Sequence, residues 1–190
     1  MNLRFRQIKD SDLDMLLKWR TMPEVSAYMY TDIEPDMAKQ KQWYERIRSD
    51  KTRRDWIIVV DGEDVGLVSV VRIDQTNKRC EWAYYLASPS VRGKGIGRSV
   101  EMNILDYVFN KLKLHKLCCE VFVANDIVIK IHEKYGSRVE GTRREHIHKN
   151  SEYHDIVEMG ILKEEYENNI KGKFEYVEAE FEPSEEVVSA

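Results

Sequence analysis

The 190-residue chain has little of what would tie it to metal, membrane or nucleic acid. Its three cysteines, Cys80, Cys118 and Cys119, form no C-x-x-C pair and no even set, which argues against a zinc ribbon or a disulfide framework and reads as reduced thiols. His115, His146, His148 and His154 show no H-E-x-x-H spacing, so no metal is expected. No apolar run approaches membrane-spanning length, and Leu3 to Lys9 alternates apolar with charged residues where a signal would be continuously apolar. A cytoplasmic protein without a membrane partner is expected. Lys and Arg number 30 against 34 Asp and Glu, a net charge of −4, which argues against a general nucleic-acid binder.

Glycine is sparse too, nine in all, yet three fall at Gly93, Gly95 and Gly97. They sit in Tyr84 to Ser99, YYLASPSVRGKGIGRS, where an apolar strand ends at the turn Ser88-Pro89 and a basic loop opens a helix. Val100, Ile104, Val108 and Leu112 give that helix one buried stripe. A helix start offers backbone N–H groups without internal partners, and glycines let a phosphate approach them closely. The spacing excludes the Walker loop, because no Lys-Ser or Lys-Thr follows the second glycine, and the dinucleotide fingerprint, because no acidic residue ends a following strand about 20 residues on.

In chain order, Leu3 to Ile8 reads as a strand. A helix follows, capped by Ser11 with Asp14 and ended by Pro23. Glu24 to Ile33 is aromatic and Met-rich without clear periodicity, and Pro35-Asp36 starts a helix through about Ser49. Trp56 to Val60 and Val65 to Ile73 form a hairpin about Asp61-Gly62, and Arg79 to Ala87 leads to the glycine loop. Lys116 to Val123 is a strand, Asn125 to Tyr135 a helix ended by Gly136, and Arg138 to His148 with Tyr153 to Leu162 a closing antiparallel pair. Length and pattern give one domain over residues 1–165. Residues 166–190, rich in Glu with Pro183, read as a mobile acidic extension.

The strand, R-G-x-G-x-G, helix order resembles the pyrophosphate-binding stretch of the GNAT superfamily of N-acetyltransferases. NDIVIKIHEKYG, Asn125 to Gly136, resembles that family's downstream helix, with Asn125, Lys134 and Gly136 matching, His132 at the tyrosine position and Ser137 at the usual phenylalanine. The resemblance spans roughly Leu3 to Leu162. It implies an α/β fold with a mixed, mostly antiparallel seven-stranded sheet flanked by helices and splayed at the acetyl-CoA site. It implies acetyl-CoA as cosubstrate, with Arg92, Gly93, Lys94, Gly95, Ile96, Gly97 and Arg98 at the pyrophosphate, and Tyr84, Tyr85, Leu86, Ala87, Asn125 and Lys134 along the cofactor. Glu81 is then the base and His132 the acid. Each has a plainer reading: Glu81 as a strand-end carboxylate paired with Lys78, Arg79 or solvent, His132 as a helix histidine whose role has passed to Tyr135 or Tyr85, and Asn125 as a helix cap.

For the acceptor, Trp19-Arg20, Pro23-Glu24-Val25, Met29, Thr31, Trp43 and Cys80-Glu81-Trp82 resemble the subfamily that acetylates the 4-amino group of a UDP-linked 4-amino-4,6-dideoxy sugar in pseudaminic acid synthesis. That resemblance implies substrate contacts at Arg20, Met29 and Tyr30, with Gln40 where the subfamily's histidine is expected. Gly141-Thr142, Tyr153 and Asp155 also resemble the spermidine and ribosomal-protein acetyltransferases, for which Asp32, Glu34 and Asp36 supply carboxylates. Core packing is the plain reading of Tyr28, Met29 and Tyr30. By the same analogy a homodimer is expected, and a non-catalytic acetyl-CoA-binding module is the reading from another class.

Overall fold

The computed structural model describes residues 1–91 and 93–182, so Arg92 and the tail residues Pro183, Glu185 and Glu186 lie outside the described residues. Strands β1 (Leu3–Gln7), β2 (Arg54–Val60), β3 (Glu63–Asp74), β4 (Arg79–Leu86), β5 (Lys116–Phe122), β6 (Arg138–Lys149), β7 (Glu152–Leu162) and β8 (Ala179–Phe181) form one sheet. Its order is β6-β7-β5-β4-β3-β2-β1-β8. Neighbours are antiparallel except for β4 with β5 and β1 with β8.

Period-two alternation sorts each strand between two cores. Trp56, Ile58 and Val60 of β2 face the core beneath helices α4 (Ile96–Asp106) and α5 (Asp126–Lys134). Ile57 and Val59 face the core beneath α1 (Leu13–Thr21) and α3 (Met37–Ser49). On β4 the even residues Cys80, Trp82 and Tyr84 turn to the first core and Tyr85 to the second. Asp61 and Gly62, at φ +51° and +87°, make the tight β2–β3 turn that their chemistry predicts. Asp36 caps α3 by accepting from the N–H groups of Ala38 (2.8 Å) and Lys39 (3.1 Å).

Three local expectations change. Ser11 does not cap α1: Asp10–Asp12 form a 3-10 turn, and the Asp12 carboxylate accepts from Lys9 N–H (2.8 Å) and from both Arg6 Nη atoms (2.7 and 3.0 Å). Arg6 also holds Asp64 (2.6 and 2.9 Å), and that buried demand on Asp12 moves the helix start to Leu13. Pro23 follows the end of α1 and opens a further turn, α2 (Pro23–Ser26), where its missing N–H costs nothing. The long helix after the glycine loop passes from α4 into a π-helical turn over Tyr107–Lys111, with Leu112 N–H bonded to Tyr107 O at 3.0 Å.

The sheet has eight strands where seven were expected, because the acidic extension folds back through Glu182. After α6 (Lys163–Asn169) the chain returns across α4. There the Asn103 side chain bonds Val177 O and Ala179 N–H, both at 2.8 Å, and Ser99 Oγ accepts from Val177 N–H. Strand β8 pairs with β1, and Phe181 lays its ring against Phe5, Trp56 and Tyr107 at centroid distances of 4.8, 5.4 and 4.8 Å. Alternation of Val177, Ala179 and Phe181 with Glu178, Glu180 and Glu182 is a short edge-strand pattern that acidic composition masks. Replacing Phe181 with Ala is expected to lower unfolding free energy by about 2 kcal/mol, less than for a fully buried ring. A urea midpoint equal to the parent's would show that this strand does not carry load.

Candidate active site

The site begins where two parallel strands part. β4 and β5 pair only over Arg79↔Lys116, Cys80↔Leu117 and Glu81↔Cys118. Beyond Glu81 the edge of β4 facing β5 has no partner strand among the described residues, although β3 still pairs its other edge as far as Gly66↔Leu86. A Cβ on Gly66 would stand 2.1 Å from Tyr85 O, so only glycine lets β3 approach β4 this closely. The open edge ends at Leu86. Ala87 N–H is bonded to Val65 O (2.7 Å) and its methyl is buried, so Ala87 belongs to the scaffold.

Past the turn, Gly93 and Gly95 stand at φ +73° and +75°, the left-handed region where a side chain is strained. Gly95 is the N-cap of α4, so the N–H groups of the helix's first turn have no intrahelical partner. A Cβ on Gly97 would meet Tyr84 Oη at 2.9 Å, which places that phenol directly beneath the loop. Lys94 and Arg98 are exposed on the loop, whereas the Ile96 side chain is core and offers only its backbone. Together these form an anion cradle at the end of an open strand edge. Across the split, Asn125 precedes α5 and its side chain makes no capping bond, which leaves the amide free for a ligand. Lys134, at the far end of α5, is exposed.

On the α4/α5 face, His132 lies 5% exposed and edge-on to Trp82, with ring centroids 5.4 Å apart. Its Nδ1 is 2.9 Å from Oε1 of Glu101, itself 1% exposed, and Glu101 Oε2 has no partner among the described residues. Burial pushes the Glu101 carboxyl up against the opposing pull of His132. Burial also pushes the Tyr84 phenol up, with the Glu101 charge adding to it. Tyr135 packs in the core against Phe174.

On the opposite face, Glu81 receives two 2.9 Å bonds from Nη1 of Arg72, not from Lys78 or Arg79. Arg72 stands at φ +51° in the irregularity where the β3–β4 register shifts. Glu120 faces Glu158 across β5 and β7, and Arg143 bonds Glu158 and lies 3.6 Å from Glu120. Tyr30 donates to Glu120 at 3.0 Å and packs on Phe122, so it guards the split; burial first and the Glu120 charge second push its phenol up.

Beside this row opens a cavity of about 780 Å³ between α1, α3, the segment from Met29 to Asp36, and the sheet at Leu67, Ser69, Ala83 and Tyr85. Arg20 and Met29 line it, while Tyr30 does not. Arg20 donates to Thr31 O (3.2 Å), and its Nη1 and Tyr85 Oη are buried without partners among the described residues. Burial lowers the Arg20 guanidinium and raises the Tyr85 phenol. The carboxylates expected to hold a polyamine, Asp32, Glu34 and Asp36, line this cavity with two lysines beside them. Asp32 is 2.9 Å from Lys149, and Lys39 lies 3.3 Å from Glu34 and 3.9 Å from Asp36. The histidine replacement Gln40 is buried in the cavity wall.

Residues 2–138 match the family described as an acetyltransferase (GNAT) domain. The chain belongs to the GNAT acetyltransferase family. Among relatives of this GNAT protein, the spermidine N(1)-acetyltransferase of Escherichia coli K12 is 27% identical over 165 residues, covering 87% of this chain and 88% of that one. The acetyltransferase PseH of Campylobacter jejuni is 25% identical over 130 residues, 68% of this chain and 79% of that one. A solved spermidine N-acetyltransferase from Vibrio cholerae, in complex with CoA and spermine, superposes with a TM-score of 0.81 at 25% identity, covering 88% of this chain and 99% of that one. The GNAT chain is therefore an N-acetyltransferase enzyme with acetyl-CoA as cosubstrate, on the splayed α/β fold expected of it. The split, open β4 edge and glycine cradle fit a pyrophosphate-bearing thioester: the cradle suits the anion and the edge suits an arm with amides.

Proposed function

We propose that this GNAT enzyme acetylates a primary amine of a polyamine such as spermidine by direct attack on the thioester. The observation that carries it is the convergence of Glu81, Glu120 and Glu158 beside the open edge of β4, three carboxylates against the two guanidinium groups of Arg72 and Arg143. A net negative mouth attracts a polycation and steadies each ammonium as it arrives. Spermidine acetyltransferases match over most of this chain and most of their own length, which supports the same acceptor. Glu81 takes the proton that the attacking amine releases, directly or through a water, and His132 donates one to the departing thiolate. Gly93 to Arg98 and the backbone from Trp82 to Leu86 hold the cosubstrate still while this happens.

A nucleotide-linked 4-amino sugar, the acceptor expected from the N-terminal third, is the second reading. One observation favours it: Arg20 Nη1 and Tyr85 Oη are donors without acceptors in the cavity wall, and they suit sugar or phosphate oxygens. The relative named PseH supports it over a shorter span.

The test is mass-spectrometric detection of product after incubation with acetyl-CoA and either spermidine or the UDP-linked 4-amino sugar. Acetylspermidine alone is the expected result. Acetylated sugar alone would replace the polyamine by the second reading and make Arg20 and Tyr85 the acceptor contacts. No product from either would reject both acceptors.

A further inference from the structure

One wall of the acceptor cavity has almost no regular structure of its own. Between α2 and α3 the chain runs from Ala27 to Asp36 without a strand or helix, yet Met29, Thr31, Asp32, Ile33 and Glu34 from it line the cavity. Such a segment holds its shape only if something outside it fixes its backbone.

The fixing group comes from more than 100 residues away in sequence. Lys149 is the last residue of β6, where the β6–β7 hairpin turns through Asn150 and Ser151 at φ +53° and +63°. Its side chain is 7% exposed, and its Nζ lies 2.6 Å from Ser26 O, 2.9 Å from Met29 O and 2.9 Å from Asp32 Oδ1. An ammonium has three N–H donors, and three oxygens meet them. Two are main-chain carbonyls at the start of the segment and one is the carboxylate of a cavity residue, so a single cation fixes both the path of the segment and the direction of Asp32. Lys149 itself is not part of the cavity lining. Arg20, bonded to Thr31 O, Tyr30, bonded to Glu120, and Lys39, paired with Glu34, tie this stretch as well.

We propose that Lys149 is a positioning residue for the acceptor: its ammonium fills a three-oxygen cage that sets the cavity wall and the direction of Asp32. This rests on the proposed function, with the acceptor reaching Glu81 through the cavity beside it. Arginine does not fit the role, because a planar fork cannot point three donors at oxygens disposed around one nitrogen.

Two variants separate this from ordinary packing. Lys149→Met keeps the apolar stem and removes the charge, while Lys149→Ala leaves a cage open to a small alkylammonium ion. For both, the acceptor KM is expected to rise about 10-fold or more with the KM for acetyl-CoA unchanged. Hydrogen exchange is expected to rise in the peptide spanning residues 26–34. Adding n-propylammonium, which supplies the missing three carbons and nitrogen, should restore protection in Lys149→Ala but not in Lys149→Met, where the stem blocks the cage. Exchange is read without acetyl-CoA, so the rescuer is not acetylated. An acceptor KM within twofold of the parent's in both variants, or loss of protection that propylammonium leaves unrestored in Lys149→Ala, would overturn the proposal. If the parent acetylates no amine, the functional reading fails in the parent tubes before any variant is compared; the exchange rescue then decides the cage alone.

Discussion

Replacing Glu81 with Gln is expected to lower kcat about 100-fold while acetyl-CoA binds as tightly as before. The separation follows from which face each function uses. In the proposed arrangement the cosubstrate lies along backbone, from Trp82 to Leu86, and on the glycine loop past the turn, whereas the Glu81 side chain lies on the opposite face with Arg72 on both its oxygens. A Gln amide keeps one oxygen for Arg72 and cannot accept a proton from the amine. The Arg72–Glu81 pair is largely open to solvent at the arginine, so the substitution should cost little stability. Single-turnover acetylation, with acetyl-CoA affinity measured separately by calorimetry, tests both halves. Unchanged turnover would move the base elsewhere on the row, to Glu120 first, whose partners Tyr30 and Arg143 already orient it over the split.

Much of this site is legible in the chain because its signals are local. Glycines at 93 and 95 announce left-handed backbone, the stripe from Val100 to Leu112 announces the helix behind them, and Asn125 to Gly136 fixes the element across the split. The partners of the site residues are not local. Arg72 reaches Glu81 because the β3–β4 register slips between Val71 and Asp74, and no residue pattern encodes that slip. Lys149 meets Ser26 and Asp32 only once the sheet has placed β6 at one edge. Edge strand β8 was hidden by composition, since three apolar residues among glutamates look like solvated tail until β1 supplies a partner. Glu101 stands off the Val100–Ile104 stripe in sequence, and only the fold, which buries every residue from Ser99 to Leu105, shows that it needs a buried partner.

That carboxylate also couples the stability of the fold to pH. Glu101 is nearly fully buried, only Oε1 has a partner, and burial raises its carboxyl above the ordinary value of 4.5 against the pull of His132. An acid with a raised value in the folded state holds its proton where the unfolded chain has already released it. The folded state then binds more protons, and unfolding free energy falls as pH rises through that window. The penalty is absent below about 4.5 and complete above the raised value. In Glu101→Gln this titration is gone, although an amide can still bond Nδ1 of His132. Compared by urea unfolding at pH 4.5 and at pH 8, the variant is expected to gain on the parent by about 1–3 kcal/mol, the cost of a buried, half-partnered charge. The same change should lower kcat roughly 10-fold, because an amide can present either its oxygen or its nitrogen to Nδ1 and no longer fixes which ring nitrogen of His132 carries the proton. Parallel stability curves would mean that Glu101 titrates alike in the folded and the unfolded chain. In that case the pair would be a structural ion pair, and the acid that meets the thiolate would have to be sought at Tyr84, whose phenol lies under the cradle beside it.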